Sequence, residues 1–118
     1  MAFVPFEALR EFQLAEQLSD MVWKAIDGWS YFDKQAIGLR MVRAADSVGA
    51  NIAEGAGRGT PKDNKRFVRI ARGSLNETRF WFRRAWRNGL LQGDEAERIG
   101  GTLNDLAPCL NAYLKSIN

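Results

Sequence analysis

Apolar residues recur every three or four positions through most of the chain, whereas the alternation of apolar and polar residues typical of strands is scarce. This spacing predicts four amphipathic helices. The first spans about residues 6–27 and is closed by Gly28. The second begins near Asp33, a residue type favoured as an N-cap, and ends at a run of glycines, Gly55, Gly57 and Gly59.

The third predicted helix has the strongest boundary signals. Thr60 can cap its start, Pro61 fits the first helical position, and Asp63 lies where a capping-box acid belongs. The helix is expected to reach about Asn88, with Gly89 as its terminator. These boundaries give a helix of more than six turns.

The fourth predicted helix begins at about Asp94 and continues to about residue 117, with Pro108 inside it. An interior proline removes one helical hydrogen bond and costs about 3 kcal/mol, so a kink is expected there. Four amphipathic helices joined by short turns favour an all-α fold, an up-down-up-down four-helix bundle. The 118 residues are enough for one domain, 1–118, with a single core.

Composition excludes several kinds of site. The single cysteine, Cys109, permits no internal disulfide, and the absence of histidine removes the usual ligand of zinc and di-iron centres. The loop GAGRGTPK lacks the spacing of a phosphate-binding loop and follows no strand. Hydrolysis by carboxylates alone would depend on Glu54 and Glu77, taken as the plausible interior acids. We therefore expect no metal, no cofactor, no catalytic residues and no enzymatic activity.

The sequence also carries no sign of a membrane segment. No run approaches the roughly 20 apolar residues of a membrane span, and the start MAFVPFEALREF lacks the pattern of a signal peptide. A cytoplasmic protein is expected.

Charge is distributed very unevenly. Residues 58–87 contain ten of the 17 basic side chains but two of the 14 acidic ones, a net charge of +8, whereas the whole chain carries +3. A surface polarised to this degree attracts phosphates or an acidic protein.

The basic side chains of the third helix fall on one arc, at about 100° per residue. This arc follows the helix for about 35 Å, a length suited to tracking a nucleic-acid backbone. Gly73 and Phe80 lie on the same arc, and an exposed phenylalanine there could stack on a base. The predicted nucleic-acid-binding residues of this helix are Lys62, Lys65, Arg66, Arg69, Arg72, Arg79, Arg83, Arg84 and Arg87. The opposite, core-facing side is predicted to hold Phe67, Ile70, Ala71, Ser74, Leu75, Thr78, Trp81, Phe82 and Ala85.

Two other interpretations of the arginines stay open. They could be an ordinary solvated face, although such faces usually mix acidic and basic residues. They could also meet acids of the first helix, such as Glu16, Asp20 and Asp27, across a subunit interface.

One face of the second helix carries Arg40, Arg43, Ser47, Asn51, Glu54 and Arg58. In the functional interpretation, Arg40, Arg43 and Arg58 extend the basic surface of the third helix. In the structural one, Asn51 and Glu54 satisfy backbone groups or arginines between the two helices. Both can hold together, because Glu54 can orient an arginine that still points outward.

The segments RMVRAADSVGANIAEGAGRG and TPKDNKRFVRIARGSLNE resemble the bacterial four-helix bundle proteins first met as products of intervening sequences in large-subunit ribosomal RNA genes. The resemblance covers about residues 6–117. RFWFRRAW is also similar to a segment of accessory variability proteins of diversity-generating retroelements. The motif positions are Asn51, Glu54, Gly55, Gly73, Ser74 and Glu77.

The resemblance implies a homopentamer with a basic surface and no catalytic residues. It also implies nucleic acid as a partner, whether RNA, DNA or a hybrid, and a reverse transcriptase as a further partner. Four tryptophans are more than one small core readily buries, so subunit contacts are expected at Trp23, Trp29, Trp81 and Trp86. The alternative is a protein-only oligomeric scaffold whose arginines dock an acidic protein.

Overall fold

The structure, a computed structural model, describes residues 5–118. It contains four helices and no strand among those residues, which confirms the all-α prediction. A short 3₁₀ turn, Phe6–Ala8, precedes the first helix. Helix α2 is a continuous run of three pieces, Tyr31–Asp33, the π-helical turn Lys34–Gly38 and Leu39–Ala56. The other helices are α1 (Arg10–Asp27), α3 (Pro61–Arg87) and α4 (Gly93–Ser116).

Two predicted helix starts are wrong. Helix α1 begins at Arg10 instead of residue 6, because Leu9 has an extended backbone that separates it from the 3₁₀ turn. Helix α2 is capped by Ser30, whose Oγ accepts a hydrogen bond from the Asp33 N–H at 3.1 Å. Asp33 therefore lies within the first turn, where its negative charge interacts favourably with the helix dipole.

The predicted boundaries of α3 are confirmed. Thr60 Oγ1 accepts a hydrogen bond from the Asp63 N–H at 3.2 Å, and Pro61 is the first helical residue. Asn88 caps the end, and Gly89 follows with a φ of +74°, in the left-handed region that glycine adopts without strain. In α4, Pro108 is exposed within one unbroken helix.

Each helix packs against two neighbours: α1 and α3 each contact α2 and α4, so α1 and α3 lie diagonally across the bundle. Contacts between neighbours run antiparallel, with Gly55 of α2 near the start of α3 and Ser47 near its middle. This agrees with the up-down-up-down prediction. The fully buried core includes Leu18, Ile52, Leu75, Leu91, Ile99, Leu103, Leu106 and Leu110. In the part of the chain that is described, no helix is long and apolar enough to cross a membrane.

Candidate nucleic-acid interface

The lysines and arginines of α3 form one surface, which we call the basic face. Seven of these nine side chains are exposed, and Lys65 and Arg79 are half-buried. Across residues 5–118, the single ion pair within 4.0 Å joins Arg58 to Glu54, and both residues lie outside α3. The positive charge of the basic face is therefore not neutralised by carboxylates of its own chain.

Two arginines of the basic face turn toward α4. Arg79 Nη2 donates hydrogen bonds to the Leu103 carbonyl at 3.3 Å and to Asn104 Oδ1 at 3.1 Å. Arg72 Nη1 donates to Asn111 Oδ1 at 3.2 Å. All three acceptors are neutral, so the guanidinium groups are held in place while they keep their charge.

Aromatic rings hold arginines at the edge of the basic face that borders α2. The Arg40 guanidinium lies 5.5 Å from the Trp81 ring centroid, and those of Arg58 and Arg66 lie 4.8 and 4.5 Å from that of Phe67. Such contacts attract the cation to the ring and leave the edges of the guanidinium for other acceptors. The structure thus brings Arg40 and Arg58 beside α3, as the functional interpretation expects.

Arg43 is exposed on α2, and the contacts described for residues 5–118 tie it to no residue of α3. Its assignment to the nucleic-acid surface stays a prediction.

A polar seam joins α2 to α3 beneath the basic face. Asn51 Nδ2 donates to the Ser47 carbonyl at 2.8 Å and to Ser47 Oγ at 3.0 Å. Ser47 Oγ in turn lies 2.9 Å from Ser74 Oγ, and Thr78 Oγ1 donates to the Ser74 carbonyl at 2.8 Å. Asn51 thus bonds to Ser47 one turn earlier in its own helix, and the Ser47 hydroxyl makes the contact with Ser74 of α3.

Glu54 lies outside this seam. Its side chain is 55% exposed, and its Oε2 lies 4.0 Å from Arg58 Nε. The expectation of an acid set between α2 and α3 is wrong, because Glu54 points to solvent at the end of α2. It can still orient Arg58, which also contacts the Phe67 ring.

The two glycines of the motifs serve different structural purposes. Gly55 is buried, and a Cβ built on it would lie 2.6 Å from Asn64 Oδ1 and 2.9 Å from Phe67 Cβ. The absence of a side chain there allows α2 and α3 to approach closely. Gly73 is exposed, and a Cβ there would meet no described atom within 4 Å beyond its own turn of helix. Glu77 is exposed and accepts a hydrogen bond from Trp81 Nε1 at 3.2 Å.

Among residues 5–118 the buried acid is Glu11, which the sequence reasoning missed when it named Glu54 and Glu77. Glu11 is 6% exposed, and its Oε1 has no hydrogen-bond partner within the described part of the chain. Its spacing of three from Leu14 and four from Ala15 places it on the apolar stripe of α1, a signal available in the sequence.

Cys109 of α4 packs beside this carboxylate, and its Sγ donates to Glu11 Oε2 at 3.9 Å. Burial raises the pKa of the Cys109 thiol, the negative charge of Glu11 raises it further, and the nearby Arg10 partly opposes them. Among residues 5–118, no three Cys, Asp or Glu side chains cluster in a way that could hold a metal ion. Glu11 and Cys109 lie at the contact between α1 and α4, apart from the basic face.

Exposed aromatic side chains occur beside the basic face and also far from it. Trp86 and Phe80 of α3 are 56% and 52% exposed, and Trp23 of α1 is 59% exposed. Trp29 and Trp81 instead pack partly buried against the core. The prediction that Ile70 faces the core is wrong, since this side chain is exposed.

Comparisons with known proteins give the family and the fold. A family model described as 23S rRNA-intervening sequence protein matches residues 7–112. The chain is also similar to the crystal structure of a protein of unknown function from the S23 ribosomal protein family of Bacteroides thetaiotaomicron, with 18% sequence identity and a TM-score of 0.78. That match covers 90% of this chain and 99% of the other, and at this identity it supports the fold alone. Comparison with curated proteins found no match.

Proposed function

Because the chain belongs to the 23S rRNA-intervening sequence protein family, we propose that it is a non-catalytic protein that binds nucleic acid through the basic face of α3. The observation that carries this proposal is the unneutralised charge of that face. In residues 5–118, the basic side chains of α3 have no carboxylate within 4.0 Å. A basic face of this kind attracts an anionic partner.

The chemistry of the face favours phosphates. Arginine predominates in it, and the planar guanidinium donates two parallel hydrogen bonds to a phosphate. The face follows a helix of 27 residues, about 40 Å at 1.5 Å per residue. It lacks an ordered set of side chains for reading base edges, so backbone contacts dominate and little sequence preference is expected for RNA, DNA or a hybrid.

The acids of the first helix lie far from these arginines within one chain. Glu16, Asp20 and Asp27 are exposed on α1, which is diagonal to α3. Each subunit thus has one basic and one acidic side. An acidic protein docked on the basic face is the alternative function, and the test below separates it from nucleic-acid binding.

The test is titration of labelled single- and double-stranded oligonucleotides with the intact protein at low salt. The variant replaces Arg69, Arg83, Arg84 and Arg87 by glutamine, which is a comparable helix former. All four side chains are exposed, and their replacement leaves the contacts of Arg72 and Arg79 with α4 unchanged. We expect the variant to lose at least about tenfold in affinity, since each lost phosphate contact weakens binding.

A matched control removes four exposed charges elsewhere, by replacing Arg10, Lys24, Arg98 and Lys115 with glutamine. Both variants have the same net charge, so a general electrostatic effect weakens them equally. A loss confined to the α3 variant supports the proposal. Undetectable binding by the unaltered protein would contradict it and favour the acidic protein partner.

We further propose that the chain assembles as a homopentamer, as its resemblance to intervening-sequence and accessory variability proteins implies. The support in a single chain is the exposed Trp23, which lines a groove of about 270 Å³ between α1 and α2 together with Leu39 and Val42. Aromatic side chains are enriched in subunit interfaces, whose buried cores are more apolar than the rest of the surface. Sedimentation equilibrium should give five times the mass of one chain, and a monomer at micromolar concentration would end this proposal.

The proposal also includes a physiological setting. A reverse transcriptase is the second expected partner if the protein serves a retroelement, and ribosomal RNA is the setting if it serves an intervening sequence. Both settings place it in the cytoplasm. The genomic neighbourhood discriminates between them, because a reverse transcriptase gene with a repeated variable region supports the retroelement role, whereas location inside a ribosomal RNA gene supports the other.

A further inference from the structure

A groove between the second half of α3 and the first half of α4 combines aromatic and cationic side chains. Its volume is about 340 Å³, and it is lined by Arg79, Phe82, Arg83, Trp86, Gly100, Leu103 and Asn104. We propose that this groove, the base groove, holds an unpaired base of single-stranded nucleic acid stacked on Trp86. This inference rests on the proposed function and names the form of nucleic acid that the basic face prefers.

The apolar part of the base groove is suited to a flat ring. Trp86 is 56% exposed, which leaves much of its indole ring open to a ligand. Gly100 lies opposite Phe82, and a Cβ on Gly100 would lie 3.4 Å from Phe82 Cζ. The glycine thus leaves room beside the Phe82 ring that a larger side chain would fill. Stacking of one base on an aromatic side chain contributes about 1–3 kcal/mol and is tolerant of sequence.

The polar part of the base groove is held in place and positively charged. Arg79 is fixed by its hydrogen bonds to Leu103 and Asn104. Asn104 accepts from Arg79 through Oδ1, so its amide N–H groups are directed elsewhere and can donate to a base or sugar. Arg83 is exposed at the same groove and can bind the adjoining phosphate.

Charge complementarity favours this occupant over a second copy of the chain. Trp86 is surrounded in sequence by Arg83, Arg84 and Arg87, all exposed. A subunit contact that buries Trp86 would also desolvate these cations, which is favourable only if acids of a second copy, such as Glu16 and Asp20 on α1, pair with all of them. A duplex is also a poor occupant, because its bases already stack on one another and their faces are not available to an indole ring.

The test compares Trp86→Ala with Phe32→Ala, a matched control that removes an exposed aromatic side chain from the start of α2. Affinity is measured for oligouridylate, for oligothymidylate of the same length and for a duplex. We expect Trp86→Ala to weaken binding of both single strands by about fivefold to a hundredfold, the loss of one stacked base. Duplex affinity and the salt dependence should stay unchanged, because no charge is removed. Phe32→Ala should leave all three affinities unchanged, and Trp86→Phe should retain most of the single-strand binding.

A direct readout is the quenching of tryptophan fluorescence by the single strand, which should be smaller in Trp86→Phe than in the unaltered protein. An equal loss of single-strand and duplex affinity in Trp86→Ala would overturn the base groove, and so would no loss at all. A fall in sedimented mass in Trp86→Ala would show a subunit contact and overturn it too. If the unaltered protein binds single strands but Trp86→Ala binds them with the same affinity, the inference alone fails. If it binds no nucleic acid, the proposed function fails as well.

Discussion

The close approach of α2 and α3 at Gly55 predicts a penalty for a single methyl group. In Gly55→Ala the new Cβ would lie 2.9 Å from Phe67 Cβ and 3.1 Å from the Asn64 carbonyl oxygen. Neither atom can rotate away, since one is fixed to the helix backbone and the other belongs to it. The third neighbour, Asn64 Oδ1 at 2.6 Å, can move only with the amide that donates to the Tyr113 hydroxyl at 3.2 Å.

Three contributions set the change in the free energy of unfolding that Gly55→Ala should cause. Alanine favours the helix over glycine by about 1 kcal/mol. Overpacking costs about 1–3 kcal/mol. Loss of the Asn64–Tyr113 hydrogen bond costs about 1 kcal/mol more. The free energy of unfolding should therefore fall by about 1–3 kcal/mol, and the melting temperature by roughly 5 °C for each kcal/mol.

Urea denaturation followed by circular dichroism measures this change, and Gly73→Ala is its matched control. Gly73 is also inside a helix, but a Cβ there meets open space, so the same substitution should stabilise by about 0.5–1 kcal/mol. The two variants thus shift stability in opposite directions. A Gly55→Ala protein as stable as Gly73→Ala would refute the close helix contact.

Three further predictions concern polar contacts. Glu54→Ala should lower the free energy of unfolding by less than about 0.5 kcal/mol, because the ion pair of Glu54 with Arg58 at 4.0 Å is exposed. A larger loss in urea denaturation would indicate a buried partner of Glu54. Asn51→Ala should lower the free energy of unfolding by about 1 kcal/mol in the same assay, since the two hydrogen bonds of the Asn51 amide to Ser47 are lost. An unchanged denaturation midpoint would show that these hydrogen bonds do not stabilise the seam. Alkylation of Cys109 by iodoacetamide should need a higher pH than in the unfolded chain, because the raised pKa keeps the thiol protonated. Glu11→Gln should speed alkylation at a fixed pH by removing a nearby negative charge, and an unchanged rate by mass spectrometry would count against that influence.

Helix number and the boundaries of α3 could be predicted because they depend on local signals. A threonine, a proline and a left-handed glycine define those boundaries from within the segment itself. The start of α2 was missed because Ser30 and Asp33 are both good caps, and the choice between them depends on packing. The π-helical turn Lys34–Gly38 was missed for a similar reason, since no spacing in the sequence specifies it.

The positions of the charges in the candidate site could be predicted, but the contacts that hold the arginines in place could not. Periodicity places the arginines of α3 on one arc, and their exposure agrees with it. Periodicity does not show that Arg72 and Arg79 bond to α4, or that Arg40 lies over Trp81, because those contacts depend on the neighbouring helices. Ile70 was assigned to the core from its place opposite the basic arc, yet it lies where α3 has no neighbour to cover it.

The central claim, that the basic face neutralises phosphates, is tested most directly by the salt dependence of binding. If one subunit neutralises about four phosphates, the logarithm of affinity should fall against the logarithm of salt concentration with a slope of roughly −3 to −4, and more steeply for a ring that uses several subunits. Replacement of Arg69, Arg83, Arg84 and Arg87 by glutamine should flatten the slope, whereas replacement of the same number of basic residues outside α3 should leave it unchanged. A slope near zero, or one that both sets of replacements change equally, would contradict the claim.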